Sequence, residues 1–182
     1  MSNLFKQRFE STLLTYQALA LMESLGDDVF FVLGGTSPWA DENLPPELDE
    51  IVGIPSPFLW LRVQEVKLAL NDTLGELSSA YRVTQDLKGG QWTVFPPELY
   101  LSTPYINEAS HLYLTADLDP EVTSESTFRT IGLVAHPELV EGTSPTLMQY
   151  EASIISEQGL IFWRTFHSPI TIDQTIRLEV IL

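Results

Sequence analysis

Residues 175–182 read TIRLEVIL. On an extended chain Ile176, Leu178, Val180 and Leu182 share one side, and Thr175, Arg177 and Glu179 share the other. That period of two is the signature of a half-buried strand. An apolar strand left on an open edge invites aggregation, so this one is expected inside a sheet.

Working back along the chain, the same grammar recurs. LIFWRTFH (160–167) is a strand that follows a turn at Glu157-Gln158-Gly159, and YEASIIS (150–156) precedes that turn. FRTIGLVA (128–135) is β-rich, and ASHLYLTADL (109–118) sets Leu112, Leu114 and Ala116 on one side. Gln91–Phe95 is a short strand between Lys88-Gly89-Gly90 and Pro96–Pro97. Residues 58–84 read as a hairpin turning at Asn71–Asp72 and Gly75. The alternation through LWLRVQEVKLAL (59–70) is imperfect, which leaves a helix over those residues as the other reading. Val29–Leu33 is a further β run, closed by Gly34–Gly35.

Only the N-terminal region departs from this pattern. Phe5, Phe9, Leu13 and Tyr16 recur at helical spacing, and Leu14, Leu21, Met22 and Leu25 widen the stripe. Asn3 suits a cap and Gly26 a stop. The helix is expected to pack on the core, with a face wide enough to reach another chain as well. The predicted organisation is a helix over residues 1–27 and a β core over 28–182, one structural unit. Eight to ten short strands with turns every ten to fifteen residues make a mainly β, antiparallel sandwich or barrel.

Composition narrows the function. Hydrophobic residues make up 44% of the 182-residue chain, enough for a sizeable core. The formal net charge is −16, from 25 acids against 9 bases. Such a surface repels phosphate backbones and anionic lipids, so neither nucleic acid nor membrane is an expected partner. A docked partner is expected to carry compensating positive charge. With no cysteine there is no disulfide scaffold, thiolate metal site or cysteine nucleophile. The N-terminus MSNLFKQRFESTLL lacks the apolar core of a signal peptide.

Catalytic signals are missing. His111, His136 and His167 show no local metal-pair spacing, and Gly34-Gly35-Thr36-Ser37 lacks the lysine and helix of a phosphate loop. Asp41, Glu42, Glu47, Asp49 and Glu50 cluster without EF-hand spacing and read as a solvated loop. No catalytic, cofactor-binding or metal-binding residue is assigned, and no enzyme activity is expected.

The remaining feature is the segment from 36 to 57, with Pro38, Pro45, Pro46, Pro55 and Pro57. It exceeds the usual connection length, which favours a functional loop. Trp39 inside it is an anchor for a hydrophobic pocket, either on its own sheet or on a neighbouring subunit.

Three stretches resemble one family, in matching order: FFVLGGTSPWADENLPP (30–46), FRTIGLVAHPEL (128–139) and GLIFWRTFHSPITIDQTIRLEVIL (159–182). They are similar to the baseplate wedge protein of T-even-type contractile-tailed bacteriophages, though this chain is much shorter and its middle, about 58–110, matches poorly. The resemblance implies a β-sandwich structural protein of the virion, located in the tail baseplate and assembled in the host bacterial cytoplasm. It implies other wedge subunits as partners, and a second copy of the chain as a further one, around a hub that holds the contractile sheath. The residues expected at such contacts are Pro38, Trp39, Asp41, Pro45 and Pro46 in the loop and Ile176 and Leu178 in the last strand. The competing class is a carbohydrate- or receptor-binding module presenting Trp39, Trp60, Trp92 and Trp163.

Overall fold

A computed structural model of the chain describes residues 2–35, 54–71, 82–87, 90–95, 109–139, 147–149, 154–156 and 159–182. The helix α1 spans Ser2–Leu25. Gly26 ends it in the left-handed conformation (φ +54°), its N–H still donating to the Met22 carbonyl at 3.3 Å. The strands are β1 (Val29–Gly34), β2 (Pro57–Arg62), β3 (Glu65–Asn71), β4 (Arg82–Leu87), β5 (Gly90–Phe95), β6 (His111–Leu118), β7 (Thr127–Ala135), β8 (Glu138–Leu139), β9 (Leu147–Gln149), β10 (Ile154–Ser156), β11 (Leu160–Thr171) and β12 (Ile176–Ile181). One sheet has the order β11-β7-β1-β2-β9 and the other β12-β6-β3-β5-β4, with a ribbon of β10 and β8. The described chain is thus mainly β, with two five-stranded antiparallel sheets and an N-terminal helix, as the predicted sandwich class requires. The strands number twelve among the described residues, above the eight to ten expected.

Contacts group the chain into two units. One comprises Met1–Gly26, Glu65–Thr115 and Glu179–Leu182, the other Asp27–Gln64 and Ala116–Leu178. In the second unit β1 is the central strand, and every one of its residues is buried. A strand covered on both faces needs continuous apolar residues, which VFFVLG supplies. Phe30 and Val32 pack with Trp60, Val134 and Ile54 on one face. The Phe30 and Trp60 rings meet edge to face at 6.3 Å.

The double glycine at the end of β1 has a steric cause. A Cβ on Gly34 would lie 2.5 Å from the Pro55 carbonyl oxygen, and Gly35 has φ +73°. The Gly35 N–H donates to that same carbonyl at 2.7 Å. Beside it, Ile54 places its Cδ1 where a Cβ on Gly132 of β7 would be. The chain that leaves β1 at residue 35 therefore returns at 54 clasped to its own starting point.

In the first unit β3 lies between β6 and β5. Ala69, Trp92, Val94, Tyr113 and Ile181 form an apolar cluster there. The helix runs near β3 and buries Thr15, Ala18 and Leu25. This corrects part of the expected stripe: Leu25 is buried and Met22 half-buried as expected, and the side chains of Phe5, Phe9 and Leu13 lie outside the described residues. Tyr16 is 66% exposed and Leu14 and Leu21 are exposed too, because the line of contact follows Thr15, Ala18, Met22 and Leu25. Small side chains at 15 and 18 let a helix approach a sheet closely, and the bulky Tyr16 does not.

Two further expectations are corrected. Residues 59–70 are neither a helix nor one arm of a hairpin with 82–84. They are β2 and β3, which belong to different sheets, and β3 pairs with β5 and β6 rather than β4. The imperfect alternation has this break as its origin: Leu59 and Leu61 face one way in β2, and Val66, Leu68 and Leu70 resume in the opposite phase after Val63–Gln64. Among the described strands, the terminal strand β12 is not inside a sheet. It forms the edge of its five strands, beside β6. Its edge carries Arg177 and Glu179, whose charges discourage further pairing.

Candidate interaction surface

Of the residues expected at contacts, Pro38, Trp39, Asp41, Pro45 and Pro46 lie outside the described residues. Both ends of their segment are described, and the Gly35–Pro55 clasp fixes where the segment starts and finishes. Ile176 is half-buried and Leu178 is buried within the chain, so Leu178 offers little surface to another subunit.

β12 is held to β6 by polar contacts as well. Leu112 and Leu182 exchange backbone hydrogen bonds at 3.1 and 3.0 Å. Arg177 donates through Nε and Nη2 to Asp117 Oδ1 and Oδ2, at 2.8 and 3.2 Å. That hydrogen bond, and the guanidinium charge behind it, hold the Asp117 carboxyl below its usual range; slight burial opposes them. Tyr113 donates its hydroxyl to Glu179 Oε1 at 2.5 Å. On the other unit, Arg62 donates to the Asp27 carbonyl at 2.6 Å and to Asp28 Oδ1 at 2.7 Å.

Among the described residues, large apolar side chains are exposed at a few positions. Besides those of α1, they are Ile161 and Trp163 of β11, the latter 42% exposed. β11 is the outermost of the described strands of its sheet. It pairs with β7 in regular register from Phe162 to Thr165 and resumes only at Ile170, with Pro169 in the interval. Arg164 lies with its guanidinium carbon 5.2 Å from the centroid of the Phe166 ring. The sequence reading named Trp163 for sugars only, because LIFWRTFH is apolar at both parities and does not reveal its outer face.

Of the four tryptophans, Trp163 is the exposed one among the described residues. Trp60 and Trp92 are buried, the latter edge-on to His111 at 4.9 Å, and Trp39 is outside the described residues. Among the described residues no group of three or more His, Asp or Glu is placed to hold a metal ion, and no helix is long and apolar enough to cross a membrane.

Residues 11–181 match a protein family described as baseplate wedge 3 tail fiber network component. The chain belongs to this family. No curated protein matches it. As a baseplate wedge component it is a structural protein of the virion tail, and other baseplate proteins are its natural surroundings. The resemblance read from residues 30–46, 128–139 and 159–182 agrees with that membership, and the match extends through the middle where the resemblance was poor.

Proposed function

We propose that this chain is a non-catalytic structural subunit that assembles with other wedge proteins around the tail hub and helps hold the contractile sheath. The observation that carries this reading is the family match over residues 11–181. The net charge of −16 supports partners with compensating positive surface. Assembly takes place in the host cytoplasm, consistent with a chain without cysteine.

The proline-rich segment docks on a neighbour with Trp39 as anchor. Prolines are already restricted in φ and a tryptophan has few rotors, so little entropy is lost on docking. The test is co-expression of wild type and Trp39→Ala with the tail proteins encoded beside this chain, followed by sizing and electron microscopy. The expected result is a folded variant that assembles poorly. An unfolded variant would assign Trp39 to the core, and normal assembly would make the segment a connector. A wild-type chain that enters no tail complex and turns over a small substrate would overturn the structural role itself.

A further inference from the structure

We draw no further inference here: the strongest candidate, the exposed apolar flank that Leu14 and Leu21 form on α1, carries none because nothing in the structure shows what covers it.

Discussion

Arg177 of β12 grips Asp117 of β6 with two nitrogens, at 2.8 and 3.2 Å, across the edge of a sheet. Both side chains are about half exposed, so the pair is expected to contribute under about 1 kcal/mol. Because the folded carboxyl is held below its unfolded value of about 3.9, the contribution is present above that value and is lost as pH falls through the lower folded one. Asp117→Asn should therefore lower the urea midpoint slightly at pH 7, and the gap should close in strong acid. A gap that widens on acidification would contradict this assignment. High salt should shrink it.

The Tyr113–Glu179 bond is the better-shielded tie between the same strands, since Tyr113 is buried. Tyr113→Phe should cost about 1.5–3 kcal/mol, the range for a hydrogen bond to a charged group. A double-mutant cycle with Glu179→Gln, read by urea unfolding, should return a positive coupling. Additive losses would mean that the two side chains act independently.

Trp60 and Trp163 should separate cleanly in stability measurements. Trp60 is fully buried against Phe30, and replacing it with alanine should cost about 3–5 kcal/mol. Trp163→Ala should cost clearly less than that, because 42% of the residue is exposed and less apolar surface is lost from the interior. Equal losses at the two positions would be incompatible with the burial described.

Gly132→Ala tests the seat of Ile54. The added methyl would fall 2.2 Å from Ile54 Cδ1, so Ile54 must shift, at about 1–3 kcal/mol. A double variant with Ile54→Ala should be less destabilised than the sum of the singles. Strict additivity would show that the two residues do not share the space.

Much of this architecture was legible in the residues. The runs at 29–33, 128–135 and 175–182 became strands because their apolar content matches their burial, and Gly26 stops the helix where expected. What escaped the sequence was pairing. Leu59–Leu70 looks like one flawed strand until the phase change after Leu61 is seen as a passage between sheets. Nothing local in TIRLEVIL distinguishes an edge from a centre, since period two describes faces and says nothing of neighbours. The helix lies where the residues placed it, but its buried face was read partly wrong, because Tyr16 scores as apolar by type although its ring faces solvent while Thr15 and Ala18 are buried. Of the candidate surface, the proline segment was visible as an oddity of composition, and it lies outside the described residues. Trp163 was not distinguished from its neighbours, because exposure on an apolar strand follows from sheet order, and sheet order is set by contacts distant in sequence.

The Gly35–Pro55 clasp brings the two ends of one segment together. Because the exit and re-entry points coincide, the cost of closing the segment between them depends only weakly on how many residues it holds. Loop-closure entropy grows by only about 0.6 kcal/mol for each doubling in length. Length in that stretch is thus a variable that the closed ends of β1 and β2 leave nearly uncoupled from the entropy of closing the sheet.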